Sequence, residues 1–299
     1  MKSLYAVFAL LFCAQLCIAA EPVGEMFVYK KVGDRELKLW VSKPADWKAK
    51  DKRPALVFFH GGGWVGGAPT SFNEHCKYFA SRGLVSVTVE YRLLKGKTND
   101  SPLVCVQDAK SAMRWVRSHA KDFGIDPKRI GAAGGSAGGH LAAFCGIVEG
   151  KDDPQDDLSI SPKADALVLF NPVFNNGPGQ WGHFRVGDSY KEFSPAHNIT
   201  RDDPPTIIFL GSEDHLISVE TTKAFQTEMQ KLGIVCEFHI SEGQKHGFYH
   251  FSKSNGKNYY DTVTGADKFL ASLGWLKGLP TLQAPQPKPS SDDNTPEER

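Results

Sequence analysis

Charge of one sign is what this sequence lacks most plainly. Its 35 lysines and arginines stand against 34 aspartates and glutamates, for a formal net charge of +1. Neither sign gathers in a long block, so there is no electrostatic footprint for nucleic acid or an anionic lipid surface. A small neutral partner fits such a chain best. A run apolar enough to cross a membrane is also missing: the longest, roughly Leu4 to Leu16, falls short of the ~20 residues a spanning helix needs. With Lys2 ahead of it and Ala19 and Ala20 just before Glu21, it predicts a cleaved signal peptide over residues 1–20. The expectation is therefore a secreted or periplasmic protein without stable membrane insertion. Leu16, where a lipoprotein has Gly or Ala before its cysteine, argues against a lipid anchor at Cys17.

Close cysteine pairs are absent from the mature chain. Cys76, Cys105, Cys145 and Cys236 are too widely spaced for a zinc site, and export permits disulfides among them, with free buried thiols as the alternative. No internal repeat interrupts the chain. From Thr281 onward the sequence turns to proline, lysine, serine and acid, so 281–299 reads as a disordered tail and 21–280 as one folded domain. With 41% hydrophobic and 23% charged residues, that stretch can bury a substantial core.

What is present is an alternation of short apolar runs with longer amphipathic ones, the pattern of an α/β sheet. Met26 to Lys31 and Glu36 to Val41 predict an antiparallel hairpin. Six parallel strands follow at Ala55–Phe59, Val85–Glu90, Ile130–Ala133, Ala166–Phe170, Thr206–Leu210 and Cys236–Ile240. Helices are expected near Ser71–Ser81, Leu103–Lys121, Ala137–Val148, Val219–Leu232 and Gly265–Leu276, with Lys110, Arg114, Arg117 and Lys121 mostly on the polar face of the second. In parallel sheets ligands bind beyond the carboxyl ends of the strands, and the chemistry-bearing motifs each follow a predicted strand.

Gly134-Gly135-Ser136-Ala137-Gly138 matches G-x-S-x-G between an apolar strand and an alanine-rich helix. A serine on so tight a turn needs neighbours without bulky side chains, and the helix N-terminus behind it favours developing negative charge. The Lys-Ser/Thr ending of a phosphate loop is missing. His60-Gly61-Gly62-Gly63-Trp64 follows an earlier strand; its glycines let the main chain turn N–H groups inward, where with Ala137 N–H they can hold the oxyanion of a tetrahedral intermediate. His60 reads as a structural partner within that loop. A serine hydroxyl is a poor nucleophile at neutral pH, so a histidine must take its proton and a carboxylate must orient that histidine. Of ten histidines, His246 alone lies in a loop after a late strand and before Gly-Phe. For the acid, Asp214 competes with Glu213, while Asp202 and Asp203 precede their strand.

On these residues the chain resembles the hormone-sensitive-lipase-like esterases of the α/β-hydrolase superfamily. The resemblance covers about residues 50 to 277 and rests on HGGGW at His60–Trp64, Tyr91-Arg92-Leu93, GGSAGGH at Gly134–His140, GSED at Gly211–Asp214 and HGF at His246–Phe248. It implies the α/β-hydrolase fold, an eight-stranded, mostly parallel sheet flanked by helices. It also implies a Ser136, Asp214, His246 triad, an oxyanion hole of Gly62, Gly63 and Ala137, and no metal or organic cofactor. Gly135 stands where many members carry Asp, closer to the exported acetyl-esterase-like branch, which includes enzymes acting on acetylated sugars. Short acyl esters, with an acetylated saccharide among them, are the expected substrates. Larger members carry a helical cap; here only the loop-rich Asn171–Asp203, with Phe174, Trp181, Phe184 and Tyr190, can form one, so a small cap over an open site is expected. Those aromatics serve either as anchors of the insertion or as substrate wall. A peptidase or amidase on the same scaffold, and a non-catalytic binding protein, are the alternative readings.

Overall fold

The computed structural model describes residues 20–95, 100–253 and 256–285. An antiparallel hairpin, β1 (Glu25–Val32) and β2 (Arg35–Ser42), turns at Gly33, whose φ of 58° suits glycine. Six further strands follow: β3 (Arg53–Phe59), β4 (Val85–Val89), β5 (Ile125–Gly135), β6 (Leu167–Phe170), β7 (Thr206–Gly211) and β8 (Cys236–Ser241). They form one eight-stranded sheet of order β1-β2-β4-β3-β5-β6-β7-β8. β2 meets β4 antiparallel, and every pair from β4 to β8 is parallel. This is the fold class and strand number expected of the sequence.

Both faces of the sheet are covered, which is why its central strands are apolar without alternation. In β3, Ala55, Val57 and Phe59 enter one core, while Leu56 and Phe58 enter the other. Helices α2 (Leu103–Ser118) and α3 (Ala137–Ile147) pack on the first, and α1 (Asn73–Ser81) with α7 (Lys257–Ser272) on the second. Every residue of α3 is buried. Its small residues are needed because a β-carbon at Gly138 would fall 2.0 Å from the Phe59 carbonyl oxygen.

Two expectations are corrected, and a choice left open for the cysteines is resolved. α7 begins at Lys257 rather than near Gly265, because the stripe Tyr259, Val263, Ala266, Phe269 and Leu270 is already buried. Gly265 lies inside the helix, where a β-carbon would meet the Phe209 ring at 2.8 Å. Lys110 and Arg114 do not face solvent: the segment after α3 folds over them, so that Arg114 pairs with Asp152 at 2.6 Å and Asp156 at 3.1 Å. The permitted disulfides do not form among the described residues. Cys76, Cys105, Cys145 and Cys236 are free thiols, each buried on a different element, and burial pushes the last three up to about 12.

Residues 1–19 of the signal-peptide expectation, and residues 286–299 of the tail, lie outside the described residues. At the start of the tail, Thr281 N–H donates to Tyr78 Oη at 3.3 Å and Leu282 rests on the second core. The insertion between β6 and β7 carries two single turns of helix, α4 (His183–Val186) and α5 (Tyr190–Phe193). Within it, Asn198 Nδ2 donates to the carbonyls of Lys191 and Ser194. Asn198 thus holds this turn. α6 (Val219–Lys231) joins β7 to β8, capped by Ser218 Oγ accepting from Thr221 N–H.

Candidate active site

Ser136 stands between β5 and α3 with φ 54° and ψ −120°. That left-handed backbone costs a non-glycine residue on the order of 1–3 kcal/mol and persists only where the surroundings impose it. Here Ser136 N–H donates to Phe170 O at 3.0 Å, and Ser136 O accepts from His140 N–H at 3.0 Å and Val173 N–H at 3.2 Å. A β-carbon at Gly134 would lie 2.3 Å from Gly138 O, and one at Gly135 would lie 1.9 Å from Tyr249 Oη. The second contact explains why no acid precedes the serine: Tyr249 fills its place.

His246, in the loop after β8, meets Ser136 Oγ through Nε2 at 2.8 Å and Asp214 Oδ2 through Nδ1 at 2.7 Å. The carboxylate requires Nδ1 to carry the proton, so Nε2 offers its lone pair to the serine hydroxyl. Asp214 Oδ1 also accepts from the N–H groups of Leu216 and Ile217. Burial alone would raise the Asp214 carboxyl, but the hydrogen bond and charge of His246, with these two N–H groups, bring it below its ordinary value. Between the two acids in competition, Asp214 reaches the histidine and Glu213 is exposed.

The glycine loop runs through φ values of 118° at Gly62, 62° at Gly63 and 63° at Trp64. A β-carbon at Gly62 would strike Gly66 O at 2.3 Å. Tyr91 holds the loop from below, donating to His60 O at 2.7 Å and stacking on the His60 ring at 4.3 Å. His60 Nδ1 in turn donates to Gly61 O at 2.8 Å, the structural role expected of it. Arg92 and its own N–H bind Asp108, and Leu94 N–H donates to Trp64 O. Tyr91 and Leu94 therefore clamp the glycine loop, while Arg92 ties the segment between them to α2. Among the described residues no acceptor meets the N–H groups of Gly62, Gly63 and Ala137.

Of the four aromatics in the insertion, Phe174 is core, stacked on Phe225 at 4.6 Å, and Tyr190 packs against the same core. Trp181 lies over the glycine loop. Its ring would stand 3.6 Å from a β-carbon on Gly63 and 5.0 Å from the buried Trp64 ring. Asn176 Nδ2 fixes it by donating to Trp181 O. Phe184, beside it, is 57% exposed. Sequence reasoning passed over two residues next to the histidine. One is Tyr249. The other is Asn171, wholly buried with φ 37°, whose Oδ1 accepts from Gly247 N–H at 3.1 Å and whose Nδ2 lies 3.5 Å from His246 Nε2. Its one signal was position, an asparagine closing a strand ahead of Pro172, since asparagine tolerates positive φ. Among the described residues no group of three or more His, Cys, Asp or Glu is gathered to hold a metal ion.

Comparison with known proteins agrees with this geometry. The BD-FAE family model matches residues 43–171. The chain is 26% identical to Esterase LipC of Mycobacterium tuberculosis over 261 residues, 76% of this chain and 63% of LipC. It is 30% identical to an esterase of Gibberella moniliformis over 65% of this chain and 67% of that one. The chain spans between 45% and 67% of the length of the first curated relatives it matches. Among solved structures, apo Thermogutta terrifontis esterase 2 superposes with a TM-score of 0.82 at 44% identity, covering 87% of this chain and 98% of that one. That esterase has also been solved with propionate bound, with butyrate bound and phosphorylated by paraoxon. The sheet order, the strained serine turn and these likenesses agree: the chain belongs to the hormone-sensitive-lipase-like esterases of the α/β-hydrolase superfamily.

Proposed function

We propose that the protein hydrolyses short-chain carboxylic esters, acetyl esters foremost, through an acyl-enzyme on Ser136. The observation that carries this reading is the unbroken hydrogen-bonded chain from Ser136 Oγ through His246 to Asp214 at the N-terminus of α3. Ser136 Oγ bonds to the ester carbonyl carbon as its proton passes to His246 Nε2, and the carbonyl electron pair moves to oxygen. The N–H groups of Gly62, Gly63 and Ala137 receive that oxyanion. Its collapse breaks the bond to the alcohol, which leaves with the proton from Nε2; water then repeats the sequence and releases the acid. Asp214 holds the tautomer and stabilises the imidazolium throughout.

Support for a short acyl group comes from Trp181, which crowds the glycine loop, and from the propionate and butyrate bound by the Thermogutta esterase. The small cap and the exposed Phe184 ring leave room for a larger alcohol, an acetylated saccharide among the candidates. Export of the mature protein, argued from residues 1–20, belongs to the same proposal, and N-terminal sequencing of protein recovered outside the cytoplasm tests it. The activity test is a set of p-nitrophenyl acetate, butyrate and octanoate beside an acetylated xylo-oligosaccharide. Turnover of the acetyl substrates with release of acetate supports the reading. Negligible turnover of all four favours a non-catalytic binding protein.

A further inference from the structure

The side chain of Asn171 is fixed at both ends. Oδ1 accepts from Gly247 N–H, so the amide cannot be turned over without setting a donor against a donor; Nδ2 must then be the group 3.5 Å from His246 Nε2. The residue is fully buried, and its φ of 37° is a conformation the fold imposes although asparagine is not obliged to adopt it. Its own N–H donates to Phe209 O at 2.7 Å, which ties it to β7.

In the resting imidazole, Nε2 is an acceptor, and a second N–H directed toward it beside Ser136 O–H is tolerated. Once the serine proton has moved, Nε2–H is itself a donor and faces the N–H of Asn171. We propose that Asn171 is a positioning residue that disfavours the protonated form of His246, keeping the base neutral into more acidic solution and hastening transfer of its proton to the departing alcohol. This rests on the triad reading above. The other groups facing the ring are Ser136 Oγ, the Asp214 carboxylate, His215 with its ring 6.5 Å away, and His250 from the same loop, with Lys253 beside His250; Lys245 precedes His246 in sequence. Of these, Asp214 pulls toward the charged form. Asn171, beside the Ser136 hydroxyl, is an uncharged donor at the opposite nitrogen.

The test is the pH profile of kcat/KM for Asn171→Asp and Asn171→Gly. In Asn171→Asp one carboxylate oxygen still accepts from Gly247 N–H while the other takes Nε2–H of the imidazolium. The acid limb should therefore move to higher pH by about one unit or more. Asn171→Gly accepts the positive φ without strain and removes the donor, so its limb should move the same way by less. NMR titration of the His246 ring in the same proteins gives the answer independently of turnover: failure of the esterase reading would remove the rate profile but not the ring titration. A limb and a ring titration that stay in place in both variants, with only the plateau rate lowered, would make Asn171 a structural brace and overturn the proposal.

Discussion

Tyr249 Oη occupies the space that a side chain on Gly135 would need: a β-carbon there would fall 1.9 Å from Oη and 2.4 Å from Cζ. The tyrosine is 1% exposed and stacked on Phe170 at 4.8 Å, so it cannot move aside cheaply. It thereby links the loop that carries His246 to the turn that carries Ser136.

Gly135→Ala should therefore destabilise the fold strongly, and Tyr249→Leu should relieve part of that cost. Urea unfolding of both single variants and the double variant measures the coupling, which is expected to be favourable by at least about 1 kcal/mol for residues in such contact. Strictly additive losses would mean that the two positions are not competing for one space.

Asp214 and Glu213 are adjacent in sequence, but only Asp214 meets His246. Asp214→Asn should lower kcat by about 10⁴ with little change in KM, because the histidine then loses its tautomer, while Glu213→Gln should stay within a few-fold of the parent. Steady-state kinetics on p-nitrophenyl acetate separates them, and the reverse ranking would move the acid to Glu213.

Much of this was legible from residue order alone. The unbroken apolar run of β3 announced a strand covered on both faces, and three motifs after three strands brought Ser136 and Asp214 each within hydrogen-bond distance of His246. Periodicity failed where tertiary packing overrides local preference. Gly265 reads as a helix boundary yet serves the close approach of Phe209, and Lys110 and Arg114 read as a solvent face yet lie under a loop that brings its own acids. Tyr249 and Asn171 were invisible for a different reason: each matters through a partner far away in sequence, Gly135 for one and Gly247 for the other.

His75 is fully buried among Phe58, Phe72, Phe170, Tyr249 and Tyr259, and neither ring nitrogen has a hydrogen-bond partner. Burial, with a smaller contribution from the charge of His250, pushes it down from 6.5 to about 3. The unfolded chain takes up a proton near 6.5 that the folded one refuses until about 3. Stability is thus undiminished above the higher value and is lost progressively as pH falls between the two. His75→Phe should abolish that loss, so its stability advantage over the parent should be about 3 kcal/mol larger near pH 4.5 than near pH 7.5. Urea denaturation at both pH values measures it; an advantage independent of pH would show that His75 is protonated in the fold.

Trp181 stands over Gly63 and Trp64, beside the proposed oxyanion hole. Trp181→Ala should raise the ratio of octanoate to acetate kcat/KM by about tenfold or more, the scale on which a few methylenes are discriminated in an apolar pocket. An unchanged acyl-chain profile with altered preference among alcohols would place the tryptophan on the leaving-group side.

The most direct test of the account is covalent capture of Ser136. Paraoxon should add one phosphoryl group per chain, located on Ser136 by peptide mass spectrometry, with loss of ester hydrolysis in step with labelling. Ser136→Ala should neither label nor turn over p-nitrophenyl acetate, its rate falling by about 10⁶. Labelling elsewhere, or hydrolysis that survives in Ser136→Ala, would contradict the nucleophile assignment from which every other role here follows.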